Sequence, residues 1–344
     1  MKRLLFLMIF IFLILINACA IKKPEPVIRS DFLLNTIVEI TLYENEKNSE
    51  IMLDDMFNEI RNCENRYSRY IPDSDITRIN ENTGVPVSVS KDTFDLIEKS
   101  IYFSEISNGL FDISIGSLVD LWNINNDNPR IPQQHEIDAA MQNIDYKEIV
   151  LDKENSTVLL SKSGLLIDTG AIAKGYITDR LVMYLNEKKV ASAILNLGGN
   201  LYLYGSKKDG SAWNIGIRNP FGYQGDYIGT VSVTNLSVVT SGIYERYFEL
   251  DGLRYHHILN PLSGYPENNN LASVSIITKS SALADGLSTT TFLLGLKEGM
   301  ALIEKLDDVE ASMVTRDKKI YLSSGIKNGE TRFKLTNEEY TLAN

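Results

Sequence analysis

Three short stretches carry residue types whose spacing can do chemistry. The first is DTGAIAKGY, residues 168–176. It follows an apolar run at 165–167 and precedes an amphipathic one, so it reads as a strand, a tight turn and the start of a helix. Such a junction offers free backbone N–H groups and the positive end of a helix dipole, which suit phosphate, and Lys174 adds a cation. No Ser or Thr follows the Gly-Lys pair, so the spacing is not that of a P-loop, and any metal-binding hydroxyl must come from elsewhere. The plain alternative is a glycine-bearing turn with a solvated lysine. The second stretch is SALADGLSTTTF, residues 281–292. On a helix, Asp285 and Thr289 share one face, and a carboxylate beside a hydroxyl can hold Mg²⁺. Otherwise Asp285 is a helix-terminal charge and the hydroxyls pack or bond their own backbone.

The third stretch is YHHILNPLSGYP, residues 255–266. In a strand His256 and His257 point to opposite faces, so only one can face a site. The chain has three histidines, and the third, His135, sits in a polar loop before a helix. One of the pair is therefore the candidate general base, against a reading of two ordinary strand histidines. ENRYSRYIPDS, NGLFDISIG, LNLGGN and VTSGIYERYFE add aromatic and glycine-rich segments. Tyr70 and Phe111 could flank a flat ring, or simply fill the core.

The elements that must position these residues follow from periodicity. Residues 36–43 alternate as a strand, 49–67 form an amphipathic helix, and another helix starts at Asp73 or Ser74. Residues 92–107 are helical, closed by Asn108-Gly109. Residues 109–124 do not declare themselves, and 123–137 are polar. The second half is richer in strands: 191–197, 272–278, 311–315 and 319–324. KKDGSA (207–212) and ELDGLRY (249–255) carry Asp-Gly hairpin signals. Helices are expected over 280–294 and 297–306. Hairpins dominate, which favours an α+β fold with a largely antiparallel sheet.

The composition, with 44% hydrophobic residues, excludes wholesale disorder, and the net charge of -11 argues against nucleic acid or an anionic membrane surface as the main partner. The N-terminus departs from this pattern. Lys2 and Arg3 precede an apolar run at 4–16, too short for a comfortable span, which reads as a secretory signal with an uncleaved anchor as the alternative. Cys19 follows Ala18 as in a bacterial lipobox. The expected divisions are a signal peptide at 1–18, a tether at 19–30 and one domain at 31–340. Cys63, the second cysteine, falls in a helical pattern and reads as a core residue. No Cys/His zinc site is present in the sequence.

Taken in order, SRYIPDSDITRIN, GLFDISIGSLVDLW, IDTGAIAKGYITDRL, LNLGGNLYLYG, WNIGIRNP, TSGIYERYF, RYHHILNPLSGYP and ALADGLSTTTFLLG resemble the ApbE family of FAD:protein FMN transferases, from about Phe32 to Leu322. The resemblance implies an α+β fold related to the T-fold. It implies FAD as substrate with Mg²⁺ as cofactor, release of AMP, and FMN joined to a threonine of exported or membrane flavoproteins. Some members hydrolyse FAD, so a periplasmic FAD pyrophosphatase stays open as a second reading. A flavin-binding lipoprotein without turnover is the third. By position, the resemblance implies Asp285, Thr289 and the Ala171 carbonyl as metal ligands. Leu34, Tyr70, Leu110, Phe111, Asp112, Asp168, Lys174 and Leu259 become FAD contacts, and His257 the group that acts on the threonine. Asn35 and Asn260 stand where glycine and aspartate are usual. A lipid on Cys19 would anchor the exported protein to a bacterial cell membrane, on its periplasmic or extracytoplasmic face.

Overall fold

The computed structural model describes residues 25–44, 46–124, 128–327 and 331–343; the expected signal peptide, Cys19 and the start of the tether lie outside them. A nine-stranded sheet runs in chain order. Its strands are β1 (Val27–Leu33), β2 (Thr36–Leu42), β3 (Ala193–Leu197), β4 (Asn200–Tyr204), β5 (Leu236–Gly242), β6 (Leu271–Thr278), β7 (Val309–Thr315), β8 (Lys319–Leu322) and β9 (Thr341–Ala343). Neighbours pair antiparallel, except that β8 and β9 are parallel. The expected α+β class with a largely antiparallel sheet is the observed one.

Between β2 and β3 come α1 (Glu46–Tyr67), α2 (Asp75–Glu81), α3 (Lys91–Ile106), α4 (Gly116–Trp122), α5 (Gln134–Met141) and α6 (Ala173–Glu187); α7 (Ser281–Ile303) follows β6. Phe57 and Ile60 of α1, Ile177 and Leu181 of α6, and Leu287 of α7 share one core with Val38, Leu195, Ile276 and Met313 of the sheet. The other face is covered by a three-stranded sheet, Trp213–Arg218, Tyr227–Val233 and Arg332–Leu335. There Trp213 and Val231 share a core with Val238, Ile277 and Val314. Neighbouring residues such as 276 and 277 thus enter opposite cores, as the two-residue period of a strand requires. Both faces of β6 are covered and all its residues are buried, which is why its sequence shows no alternation.

Two smaller clusters accompany these cores. Ile76, Ile79, Phe94 and Ile97 pack with the short strands Thr157–Leu160 and Ile149–Asp152. Leu118, Trp122 and Ile137 pack with Phe248 and Leu259.

Several boundaries differ from those read in the sequence. The tether does not extend to residue 30: β1 begins at Val27 and pairs with β2 along its length, and Arg29 forms ion pairs with Glu50 and Asp54 of α1. Residues 165–167 are not a strand. They hold one bridge, Leu166 to Ile115, and owe their apolar character to Leu165 and Ile167 being buried. KKDGSA makes a turn but no hairpin, because the strands it joins belong to different sheets. ELDGLRY does make one: Asp251 (φ 52°) and Gly252 (φ 75°) link the paired strands Tyr247–Leu250 and Leu253–His256. The helices expected over 280–294 and 297–306 are the two segments of α7, which part at the non-helical Gly295 (φ 80°), and the second ends at Ile303. His135 lies inside α5 rather than before it.

Candidate active site

The site is built on the crossing of α6 and α7, where each helix completes the first turn of the other. Asp179 of α6 accepts hydrogen bonds from the Ser281 N–H (2.6 Å), the Ala282 N–H (3.1 Å) and the Ser280 hydroxyl (2.7 Å) at the start of α7. In return, Asp285 Oδ2 accepts the Gly175 N–H (2.8 Å) in the first turn of α6. The orphan donors of both helix starts are satisfied by a carboxylate from the neighbouring helix. Gly175 permits this approach. A Cβ there would lie 2.3 Å from the Ser281 carbonyl oxygen and 2.7 Å from Asp285 Cβ.

The turn before α6 is held by its own side chains. Asp168 Oδ1 accepts the Gly170 N–H (2.8 Å), and the Thr169 hydroxyl donates to the Tyr67 carbonyl (3.0 Å). The Thr169 carbonyl takes the N–H groups of Ile172 and Ala173, while the Ala171 carbonyl accepts no backbone hydrogen bond among the described residues. A buried carboxylate, a free carbonyl and a lysine are thereby gathered at one helix start. Burial pushes the Asp285 pKa up, and Lys174, the Gly175 N–H and the Asn200 amide pull it the other way. One turn along α7, Thr289 Oγ1 lies 3.3 Å from Ser241 Oγ of β5.

The two histidines part as expected. His257 follows directly after the strand Leu253–His256. Its N–H and its Nδ1 both meet the Arg246 carbonyl, at 3.0 and 3.4 Å. A ring nitrogen on a carbonyl must carry the proton, so Nε2 of His257 keeps its lone pair. Burial, and then the Arg246 charge, push its pKa down to about 3, so the ring is neutral. His256 faces the core. Its Nε2 meets the Glu267 carbonyl at 2.9 Å and its ring sits edge-on to Phe292, so it takes the opposite tautomer.

Every candidate within the described residues lines one cavity of about 1060 Å³: Leu34, Tyr70, Leu110, Phe111, Asp112, Asp168, Ala171, Lys174, His257, Leu259, Asp285 and Thr289. Cys19 lies outside the described residues. The candidates do not all offer free side chains. The Asp112 carboxylate is consumed by the Ser114 N–H (2.8 Å), the Ser114 hydroxyl (2.7 Å) and the Tyr146 N–H (3.1 Å), so it shapes its loop from within. Asp168 is similarly committed to Gly170 and to Arg69 (3.2 Å). Tyr70 is 70% exposed and presents its ring to the cavity, with the Arg69 guanidinium 5.1 Å from its centroid.

Sequence reasoning passed over four residues in the same wall: Arg69, Asn200, Glu245 and Arg246. Arg69 is a buried cation that donates to the Gly116 carbonyl (3.1 Å) and pairs with Asp168 and Asp120, joining α4 to the lysine turn. Arg246 donates to the Asn35 carbonyl (3.2 Å) and so ties the β1–β2 turn to the His257 loop. Leu34 and Asn35 both hold φ 55° there, a region that asparagine tolerates in place of glycine. The available signal was an arginine next to tyrosines in SRY and YERY.

Fold and cavity together define an α+β protein with an enzyme-like cleft of dinucleotide size. The chain matches the ApbE family over residues 34–313 and belongs to it. It is 35% identical to an FAD:protein FMN transferase of Treponema pallidum, over 87% of this chain and 87% of that one. It is 37% identical to one from Klebsiella pneumoniae, over 86% and 91%. Among solved structures, the ApbE protein of Thermotoga maritima superposes with a TM-score of 0.82 at 32% identity, covering 89% of this chain and 99% of that one. The flavin transferase ApbE of Vibrio cholerae does so with a TM-score of 0.80 at 27% identity, covering 88% and 99%.

Proposed function

We propose that this chain transfers the FMN moiety of FAD to a threonine hydroxyl of a target flavoprotein and releases AMP. The observation that carries the reading is the convergence of Lys174, Asp285, Thr289 and His257 on one cavity large enough for a dinucleotide. The family and its named relatives support flavin transfer as the reaction.

The donor set fits a hard divalent cation. It comprises a buried carboxylate with one oxygen held by Gly175, a hydroxyl one helical turn away, and a carbonyl outside the backbone ladder. Asp285, Thr289 and the Ala171 carbonyl would hold Mg²⁺, which when bound neutralises charge on the diphosphate. Lys174 and the start of α6 bind diphosphate oxygens, as a helix N-terminus does for anions. Tyr70, backed by Arg69, and Phe111 offer faces to a flat ring. Nε2 of His257 takes the proton of the incoming hydroxyl. The hydroxyl oxygen forms the new bond to the FMN phosphorus, the bond to the bridging oxygen breaks, and AMP leaves with that electron pair. The negative diphosphate raises the histidine's basicity when it binds, which brings the ring toward the working pH.

The protein acts outside the cytoplasm, held to a membrane by a lipid on Cys19. The apolar run at 4–16 and the Ala18-Cys19 junction support this placement. The test incubates full-length protein in detergent with FAD and Mg²⁺, with and without a flavoprotein carrying a free acceptor threonine. An acceptor that gains the mass of an FMN phosphoester, with equimolar AMP, is the expected result. FMN found only free in solution across several acceptors would make the chain a pyrophosphatase, and bound flavin without AMP would make it a carrier.

A further inference from the structure

Arg246 and His257 face each other across the hairpin that ends at the site. Its strands pair Tyr247 with His256, and the next rung is the 3.0 Å bond from the His257 N–H to the Arg246 carbonyl. Residues directly opposite in an antiparallel pair carry their side chains on one face of the ladder. Two residues along, that face holds the stacked rings of Phe248 and Tyr255, with centroids 5.1 Å apart. The guanidinium and the imidazole leave the hairpin together, and both residues line the cavity.

The guanidinium is largely uncommitted. Of its five N–H donors, one is spent, from Nη2 to the Asn35 carbonyl (3.2 Å). Among the described residues no carboxylate lies within ion-pair distance of it; the adjacent Glu245 pairs instead with Arg218 (3.5 Å). Arg69, in the same cavity wall, is by contrast held by the Gly116 carbonyl, Asp120 and Asp168. Lys174 is the other lining cation without an ion pair among the described residues. Two unneutralised cations in one cleft of a chain with net charge -11 suit an anion with more than one charged group, such as a diphosphate.

We propose that Arg246 is a catalytic residue that grips the phosphoryl group being transferred: its free N–H groups meet the non-bridging oxygens of the FMN phosphate while the acceptor hydroxyl lies between that phosphorus and Nε2 of His257. This rests on the reading of the chain as a flavin transferase. A hydroxyl can give its proton to Nε2 and its electron pair to phosphorus only if the phosphate sits beside the base, and Arg246 is the cation on the base's face of the hairpin. No proton leaves the arginine. Its planar fork stays charged and matches two phosphate oxygens, and a donor fixed in advance on the transferring group acts where the charge is carried. Lys174 and the start of α6 remain for the rest of the diphosphate.

The test compares Arg246→Ala with the parent, as full-length proteins in detergent, in two assays. One measures binding of FMN and of riboflavin by quenching of flavin fluorescence. The other measures AMP release from FAD with Mg²⁺ and an acceptor flavoprotein. Arg246→Ala is expected to weaken FMN binding about tenfold and riboflavin binding by less than about twofold, because only FMN carries the phosphate. Turnover should fall about a hundredfold, and added guanidinium ion should restore part of it. An arginine that only ties the β1–β2 turn to the hairpin would weaken both flavins alike and gain nothing from guanidinium; that result overturns the proposal. If Arg246→Ala does not fold, Arg246→Lys takes its place, with a severalfold loss expected for FMN alone, and parental values there overturn the proposal. If the parent transfers FMN and the variant matches it, Arg246 falls and the transferase reading stands. If the FMN-selective loss appears but the parent releases no AMP, the phosphate contact stands, and the catalytic role falls with the transferase reading.

Discussion

A single backbone carbonyl decides which of two adjacent histidines can act as a base. Arg246 C=O engages Nδ1 of His257 and leaves Nε2 free, whereas His256 is committed to Glu267 and the core. His257→Ala is therefore expected to lower the rate of FMN transfer by about a hundredfold or more, and His256→Gln far less, in steady-state assays at matched folded fraction. Equal losses would remove the assignment. His256 has a separate signature in stability. Burial pushes its pKa down from 6.5 to about 4. Between those values the unfolded chain binds a proton that the folded chain cannot, so stability falls as pH drops from 6.5 to 4. The slope ends below 4, where both states are protonated. The full effect is about 3 kcal/mol. Urea unfolding of His256→Gln should lose that part of the pH slope; an unchanged slope would mean that other groups produce it.

The α6–α7 pair shows how two helix starts become one site. Each supplies the carboxylate that caps the other, so Lys174, Asp285 and Thr289 are held in one frame. Gly175→Ala would place a methyl group against the Ser281 carbonyl. The expected cost is about 1–3 kcal/mol in stability, since a close backbone contact must open. The loss of activity should exceed the loss of folded protein, because opening the crossing also separates Lys174 from Asp285. Calorimetric unfolding alongside FAD binding checks this. A variant with parental affinity for FAD and parental turnover would show that the crossing tolerates a methyl group. Asp179→Ala removes a buried cap from three donors at the start of α7 and should destabilise by about 1–2 kcal/mol, read from the urea midpoint.

At the scale of the whole molecule, the nine-stranded sheet separates two cores, and the cleft opens beside the helical one. The 43–192 insertion between β2 and β3 brings Tyr70, the Phe111 loop and the lysine turn to it; the strands after it bring His257 and α7. The membrane attachment proposed above belongs to this scale, because the first described strand begins at Val27. A lipid on Cys19 would leave a short connection to the sheet, so the cleft would work close to a bilayer. Metabolic labelling with palmitate should mark the parent protein and not Cys19→Ala. Label retained by that variant would remove the anchor.

By itself the amino-acid sequence determined the family and the candidate residues. A lysine after a glycine turn, a carboxylate and hydroxyl four apart, and a histidine stood out in an ordered set of motifs, and the described candidates all line one cavity. It also determined the long helices and the Asp-Gly hairpin at 251–252, because periodicity and turn residues act locally. Tertiary structure decided the rest. Whether KKDGSA joins paired strands depends on which sheet the next strand enters, and no local pattern encodes that. Residues 165–167 look like a strand because burial and strand pairing both select apolar residues. The roles of Arg69 and Arg246 arise from contacts to partners tens to hundreds of positions away. A guanidinium takes its meaning from the groups that three-dimensional packing sets around it.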